Sequence, residues 1–303
     1  MRKVLTLAIL LAVAGGAGTG ASAAPKAELW DRWTAHDDAA TKTVDHSAWA
    51  RFLGTYVKPD GNGLNRVSYG AVTGPDRAAL NSYVNALAGT KISTFNRAEQ
   101  RAYWINLYNA LTVKVILDHY PVDSIRDIDI SPGLFSDGPW GKPLVTIEGE
   151  AVSLDDIEHR ILRPIWRDPR VHYAVNCASV GCPNLMTRPF TASNADELMD
   201  RAARDYINHP RGARVADGKL VVSSIYEWFQ EDFGGNDAGV IAHLKTFAAP
   251  DLAAALAGVT DIDDDAYDWD LNDGSAARAE LGAPATAEKK SRKRKPSFGS
   301  THR

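Results

Sequence analysis

The two cysteines of the chain, Cys177 and Cys182, are the residues best suited to chemistry. They are the only cysteines among the 303 residues. The stretch before them, 170–176, alternates like a strand, and the cysteines follow in a turn rich in small residues. Such a turn on a rigid scaffold can hold a reactive side chain exposed. The pair therefore forms either a disulfide or a site with at least one working thiol.

The start of the chain has the pattern of a secretory signal peptide. Arg2 and Lys3 precede a short apolar run, 4–14, and small residues ending in Ala24 follow it. The run is too short to span a bilayer, so we predict a signal peptide over 1–23 and a periplasmic or secreted product without a transmembrane segment. Such a compartment is oxidising, which allows the cysteines to pair. A disulfide across so small a loop would stabilise the fold only modestly.

Composition divides the remaining chain into one domain and a tail. Hydrophobic residues make up 45% of the sequence, as in globular proteins, and we predict a single globular domain over 24–275. We predict that 276–303 is a disordered basic tail, because 289–295 is nearly all Lys and Arg. The tail either touches an anionic surface or is only solvated. The formal net charge of −4 argues against nucleic acid as a partner.

The clearest predicted helix begins at Asn96, which forms a capping-box pattern with Glu99, and runs to Leu117. It is apolar nearly all round, as expected for a helix buried in the core. Asn106 and Asn109 lie on one face of this helix. Buried amides need hydrogen-bond partners. These two asparagines therefore either tie down neighbouring backbone or line a polar cleft.

Periodicity elsewhere predicts further helices and a few strands. The predicted helices are 27–57, 76–87, 227–233 and 238–247, the predicted strands are 144–147 and 170–176, and 220–226 is predicted as a strand or a strand-to-helix junction. Together they indicate an α+β fold, a mainly helical single domain with a small sheet that carries the cysteine motif at one strand end. The acidic segment 261–271 lacks the Gly and terminal Glu of a calcium loop, so we predict no metal site.

A second capping box opens a predicted helix over 153–163. Glu158 falls inside its apolar stripe, so this carboxylate must be paired or hydrogen-bonded, or its pKa must be raised. His159 points about 100° away, on the side of Asp155 one turn earlier. A contact between His159 and Asp155 is therefore geometrically easier than one between His159 and Glu158.

Five segments together resemble the domain-of-unknown-function family numbered 547, whose members include exported bacterial proteins. They are Tyr103-Trp-Ile-Asn-Leu-Tyr-Asn-Ala110, Ser153-Leu-Asp-Asp-Ile-Glu-His159, Asn176-Cys-Ala-Ser-Val-Gly-Cys-Pro183, Trp228-Phe-Gln-Glu-Asp-Phe233 and Tyr267-Asp-Trp-Asp-Leu-Asn272. The resemblance implies a Cys-His-Glu site similar to that of cysteine peptidases, with glutathione as a ligand. By analogy it also implies a papain-like cysteine-hydrolase arrangement. In this chain the catalytic residues would be Cys177, His159 and Glu158.

The leading functional hypothesis is an exported thiol-dependent hydrolase or transferase. It would act on an amide bond of a small peptide, glutathione-like or derived from the cell wall. The residues predicted to bind the substrate are Asn106, Asn109, Asn176 and Cys182, and no cofactor is expected. One alternative is a module that binds a small peptide or a thiol-containing small molecule without turnover. Another is a dithiol redox protein, although Cys-x4-Cys is not the Cys-x-x-Cys of thioredoxin-like enzymes.

Overall fold

A long central helix, α3 (Arg97–His119), is buried on nearly all sides. The computed structural model describes residues 25–133 and 138–274, and their buried apolar side chains form one hydrophobic core around this helix. Asn96 caps α3, because its Oδ1 accepts a hydrogen bond from the Glu99 N–H at 3.0 Å. The Glu99 carboxylate accepts one from the Val44 N–H at 3.2 Å. The Asn96 half of the predicted capping box therefore forms as expected.

Other helices pack around α3. The helices before it are α1 (Ser47–Tyr56) and α2 (Gly74–Ala88). After it, a helix over 154–166 contains the π-helix Asp156–Leu162 and α4 (Arg163–Trp166). The remaining helices are α5 (Val171–Ala174), α6 (Ala195–Ile207), α7 (Ser224–Trp228), α8 (Asp237–Phe247) and α9 (Pro250–Ala255). Helix α2 and the π-helix contact α3, and α5 contacts α6.

The strands form three small sheets in the described part of the chain. Two are antiparallel hairpins, β1 (Val57–Pro59) with β2 (Asn65–Val67) and β3 (Val145–Ile147) with β4 (Glu150–Val152). In the third, β6 (Lys219–Ser223) pairs antiparallel with β5 (Ala213–Ala216) and parallel with β7 (Asp264–Ala266). The mainly helical α+β prediction is therefore confirmed. The papain-like cysteine-hydrolase arrangement is not confirmed by this topology.

The predicted strand over 170–176 is wrong, because Val171–Ala174 is a short helix, α5. All four of its residues are buried, so no solvent-facing side exists to match the apparent alternation. The cysteine motif therefore follows a helix, not a strand end. Its only pairing of β type among the described residues is a single bridge between Ser179 and Leu271.

The predicted helix over 27–57 forms only near its two ends, as the 3₁₀ turn Asp31–Thr34 and α1. Between them, the chain lies against the start of α3. The Gln100 side chain donates to the Ala35 carbonyl at 2.9 Å, and the Asn96 side chain donates to the Ala40 carbonyl at 2.8 Å. These side chains satisfy backbone groups that a helix would otherwise pair internally.

The segment 264–274, named here the C-terminal strap, crosses the loop that carries the cysteines. The N–H groups of Val180 and Gly181 donate to strap carbonyls, each at 2.8 Å. Position 181 needs glycine because a Cβ there would lie 2.7 Å from the Asp268 nitrogen. The strap therefore fixes the cysteine loop through backbone contacts.

The predicted signal peptide over 1–23 and the predicted tail over 276–303 lie outside the described residues. The single domain over 24–275 stays a prediction. Among the described residues, no helix combines the length and apolar character needed to cross a bilayer.

Candidate thiol site

The two cysteine sulfurs lie next to each other as free thiols. Their Sγ–Sγ distance is 3.0 Å, whereas a disulfide bond measures about 2.05 Å. Cys182 is buried and Cys177 is partly exposed. The Cys177 N–H donates to Cys182 Sγ at 3.1 Å, which links the two residues through backbone as well. Cys177 is therefore the more exposed residue of the two.

Two hydroxyl groups also contact the Cys177 sulfur. Ser179 Oγ lies 3.2 Å and Tyr267 Oη 3.1 Å from Cys177 Sγ, and the two oxygens are 2.8 Å apart. Hydrogen bonds from Cys182, Ser179 and Tyr267 together lower the pKa of Cys177 to about 7, against the opposing effect of burial. A large fraction of Cys177 is therefore thiolate at neutral pH.

The pKa of Cys182 is shifted the other way. Burial raises it well above its usual value, and the neighbouring Cys177 sulfur raises it further. The site thus holds two unlike sulfurs, an ionisable one that is partly exposed and a protonated one that is buried. This division follows from their positions on either side of the loop crossed by the C-terminal strap.

The loop itself is braced by buried asparagines. Asn109 on α3 donates to the Ala174 carbonyl at 2.9 Å and accepts from the Asn176 N–H at 2.8 Å. The Asn176 side chain donates to the Pro183 carbonyl at 2.7 Å and accepts from the Ala178 N–H at 2.9 Å. Its amide therefore joins the two ends of the loop, and Ala178 takes a left-handed conformation with φ of 64° between them.

Asn106 lies one turn away on α3 and has a different partner. Its side chain donates to the Phe190 carbonyl at 2.7 Å and accepts from the Phe190 N–H at 3.1 Å. Both Asn106 and Asn109 thus tie down backbone, which is one of the two interpretations of the sequence. Their role in substrate binding, with that of Asn176 and Cys182, stays a prediction.

His159 is buried and contacts groups other than the Cys177 sulfur. Its Nδ1 lies 3.1 Å from Arg163 Nη1, and its Nε2 lies 3.7 Å from Asp155 Oδ1. Burial lowers the pKa of His159 to about 4 despite the nearby Glu158 carboxylate, so the imidazole is neutral at pH 7. Burial also raises the pKa of Asp155 to about 7. In the described chain, no histidine lies within hydrogen-bond distance of Cys177 Sγ.

Glu158 pairs with a histidine that the sequence had not assigned to the site. Its Oε1 lies 3.5 Å from His172 Nδ1, and His172 Nε2 lies 2.7 Å from Asp232 Oδ2. Arg163 Nε completes the group at 2.6 Å from the same Asp232 oxygen. Although burial opposes it, the charges and hydrogen bonds of His159, His172 and Arg163 lower the pKa of Glu158 to about 2. Glu158 is therefore a buried ion-pair partner.

Tyr108 on α3 lies between this buried ionic group and the thiols. Burial raises its pKa well above the usual value, and the charges of Glu158, Cys177 and Cys182 all add to that effect. The structure therefore places Cys177 with Cys182 and Asn176, and Glu158 with His159 and His172, on two sides of a tyrosine. It does not join the two sets by a direct hydrogen bond among the described residues.

Sequence reasoning missed Tyr267, Ser179 and Tyr108. Tyr267 and Tyr108 lie within motifs that carry the family resemblance, and Ser179 lies between the cysteines. The contact of Tyr267 with the Cys177 sulfur joins segments 90 positions apart, whereas Ser179 is a local neighbour that its position between the cysteines could have indicated. A small crevice that opens to solvent also adjoins Cys182, with Arg211 and Asn184 among the side chains that line it.

The site and fold define a mainly helical α+β protein with two adjacent, unlike thiols. Residues 92–207 match the model of the family described as Protein of unknown function, DUF547, which confirms the resemblance. Three of the five motifs lie in this span, and 228–233 and 267–272 lie after it. No curated protein and no solved structure matches the chain. Within the described ranges, no group of three or more His, Cys, Asp or Glu side chains is placed to hold a metal.

Proposed function

We propose that this protein carries out thiol–disulfide exchange, with Cys177 as the nucleophile and Cys182 as the resolving thiol. The observation that supports this best is the 3.0 Å separation of two free sulfurs that differ in exposure and in pKa. An ionised, partly exposed sulfur suits attack on a disulfide. A buried, protonated sulfur beside it suits release of the product. Export to an oxidising compartment, which the start of the chain predicts, would supply disulfide substrates.

The exchange has two steps. The Cys177 thiolate attacks one sulfur of a substrate disulfide, which forms a mixed disulfide and releases the other substrate sulfur as a thiolate. Cys182 then transfers its proton to that thiolate and attacks Cys177 Sγ, which forms the Cys177–Cys182 disulfide and releases the second substrate sulfur as a thiolate, which takes a proton from the solvent. The substrate disulfide gains two electrons and the cysteine pair loses two.

The environment of Cys182 favours the second step. Before reaction, burial and, in addition, the ionised neighbour at Cys177 keep Cys182 protonated. The mixed disulfide carries no charge at that sulfur, so this repulsion is lost and Cys182 ionises more easily. The Cys177 N–H, 3.1 Å from Cys182 Sγ, then donates to the forming thiolate.

Mass spectrometry of the protein after incubation with bis(2-hydroxyethyl) disulfide tests this proposal. The wild type should form an intramolecular disulfide, Cys182→Ser should stop at the mixed disulfide, and Cys177→Ser should react far more slowly because only the buried thiol remains. The proposal fails if the wild type forms no intramolecular disulfide. It also fails if Cys177→Ser reacts as fast as the wild type.

A thiol-dependent hydrolase or transferase for the amide bond of a small peptide is the second candidate. It is favoured by the lowered pKa of a partly exposed Cys177, which suits attack on a carbonyl as well as on a disulfide. Cys182→Ser separates the two functions, since a hydrolase needs only Cys177 and would keep its turnover. Two free thiols that alkylate slowly at neutral pH would instead favour the binding module.

A further inference from the structure

Four aromatic side chains form a continuous, partly exposed surface that reaches the Cys177 sulfur. Ring centroids are 4.8 Å apart for Trp228 and Tyr267, 4.7 Å for Tyr267 and Trp269, and 5.8 Å for Trp269 and Trp140. The hydroxyl of Tyr267 lies 3.1 Å from Cys177 Sγ. We call these four rings the aromatic platform. A molecule whose sulfur meets Cys177 would therefore lie beside them.

These tryptophans differ from the others that the fold buries. Trp33, Trp49 and Trp104 are at most 2% exposed, whereas all three tryptophans of the platform are partly exposed. Within the described residues, the indole N–H groups of the platform donate to no protein acceptor and are not buried. Large apolar rings with unused donors at a surface are typical of a binding site.

The charges around the platform are mainly negative. Asp268 and Asp270 flank Trp269 and are exposed, and Glu227 precedes Trp228 and is exposed as well. A cation of the chain itself already contacts one of these rings, because the Arg126 guanidinium lies 5.4 Å from the centre of the Trp269 ring. Aromatic faces attract cations, and exposed carboxylates on neighbouring residues add to that attraction.

The opposite side of the thiol pair carries positive charge but is less accessible. Arg211 lines the crevice with Cys182, and its Nη2 donates to Asn184 Oδ1 at 2.8 Å. Its Nε is buried and has no partner among the described groups. Cys182 is itself buried, so this side faces the resolving sulfur. The aromatic platform, by contrast, adjoins Cys177, since the Tyr267 hydroxyl contacts the Cys177 sulfur.

We infer that the aromatic platform is the substrate subsite, and that it takes disulfides whose flanking groups are cationic, such as ammonium or guanidinium groups. This rests on the proposed thiol–disulfide exchange for the chemistry, but the binding it describes does not require turnover. The rings would contact the cation by their faces, and the carboxylates would set its preference over an anion.

The first test measures binding to a Cys177→Ala/Cys182→Ala variant, which cannot react. This variant is titrated by calorimetry at low ionic strength with two disulfides of similar size. Cystamine is the cationic disulfide and 3,3′-dithiodipropionate is the anionic one. Cystamine should bind the more tightly. Adding Trp228→Ala should weaken cystamine binding roughly threefold to thirtyfold. Adding Trp166→Ala, which removes a partly exposed tryptophan stacked on Arg97 outside the platform, should leave it unchanged.

The second measurement is the rate at which the protein with both cysteines reacts with each disulfide. Each rate is divided by that of 2-mercaptoethanol with the same disulfide, to remove the intrinsic reactivity of the reagent. The normalised rate with cystamine should then exceed that with dithiodipropionate. Glu227→Gln, which leaves the rings intact, should reduce the difference between these two rates. Alkylation by the neutral reagent iodoacetamide is measured in every variant, and each disulfide rate is also divided by the alkylation rate of that variant, which removes any change in the reactivity of Cys177 itself.

The outcomes separate this inference from the proposed function. Tighter binding of dithiodipropionate would overturn the inference and favour the Arg211 side, and failure of both probes to bind would overturn it as well. Cystamine binding that depends on Trp228, without any exchange in the reactive protein, would support the subsite and overturn the proposed exchange.

Discussion

The hydroxyl of Tyr267 lies 3.1 Å from the Cys177 sulfur, although the two residues are 90 positions apart in the chain. The C-terminal strap makes this contact, since its backbone pairs with the loop that carries the cysteines. The reactive sulfur is thus stabilised by hydroxyl and thiol donors, and its ionisation depends on a segment that folds onto the site from the far end of the domain.

The first prediction concerns that hydroxyl. Tyr267→Phe removes a donor to the thiolate, so the pKa of Cys177 should rise from about 7 by about one pH unit. Less thiolate is then present at pH 7, and alkylation by iodoacetamide should slow about fivefold there and recover at high pH. The pH dependence of the alkylation rate is the measurement. Tyr103→Phe is the control, because the Tyr103 hydroxyl donates to the Leu87 carbonyl. If the pH dependence of alkylation is the same in Tyr267→Phe as in the wild type, this contact does not lower the pKa of Cys177.

A second prediction concerns His159, the base that the family resemblance implies. Its ring nitrogens face Arg163 and Asp155, and its pKa of about 4 leaves it neutral at pH 7. His159→Ala should therefore change the pH profile of Cys177 alkylation very little. A marked slowing at pH 7, with a raised apparent pKa of Cys177, would instead restore a Cys–His pair and favour the hydrolase.

The third prediction addresses the buried amide that braces the cysteine loop. Asn109→Ala leaves the Ala174 carbonyl and the Asn176 N–H without their partners, at a cost of about 1–3 kcal/mol for each buried group. Urea unfolding at pH 7 should show a corresponding loss in the free energy of unfolding. Asn85→Ala, at an exposed position of α2, should be close to neutral. Equal stability of the two variants would show that the buried amide contributes no net free energy.

The fourth prediction follows from the pKa values of about 2 of Glu158 and Asp232. Both lie below the ordinary range near 4, so the carboxylates stabilise the fold above about pH 4, and this contribution is lost as the pH falls toward 2. The pKa of His172 is raised, so its contribution is present at low pH and is lost as the pH rises through its folded value. The buried neutral His159, whose pKa is lowered to about 4, already reduces stability as the pH falls below about 6.5, so acid unfolding followed by circular dichroism should steepen below about pH 4.

Replacing His172, which contacts both Glu158 and Asp232, tests the same ionic group directly. His172→Ala leaves Glu158 without the imidazole at 3.5 Å, and Asp232 keeps only arginine contacts. Breaking a buried ion pair from one side costs about 3–5 kcal/mol, so the variant should unfold at lower urea concentration and at higher pH than the wild type. An acid midpoint that is the same in both proteins would contradict the proposed role of the pair.

Local sequence signals predicted the elements that local forces determine. The helix from Asn96 was found because a capping residue and a continuous apolar run both lie within its own sequence. The strand predicted over 170–176 failed because a short, fully buried segment has no exposed face, and periodicity does not distinguish helix from strand there. The prediction of one helix over 27–57 was wrong because the side chains of Asn96 and Gln100, at the start of α3, bind backbone carbonyls of that segment.

The cysteines were identified from residue type and spacing, but their surroundings were not. Glu158 was expected to be paired, and the helical wheel brought His159 close to Asp155, which the structure has at 3.7 Å. The pairing of Glu158 with His172 and the contact of Tyr267 with Cys177 join segments distant in the chain. Only the packed core determines such contacts, so no pattern in one sequence specifies them.

The position of the strap has a practical consequence for how this protein is cut for study. A fragment limited to the segment that matches the family model would keep both cysteines and lose Tyr267, Trp228 and Trp269. It would also uncover the edge of the loop at Val180 and Gly181, whose amides now pair with strap carbonyls. Expression boundaries drawn from the recognised region alone would therefore yield a protein with the sulfurs but without Tyr267 and the aromatic rings beside them.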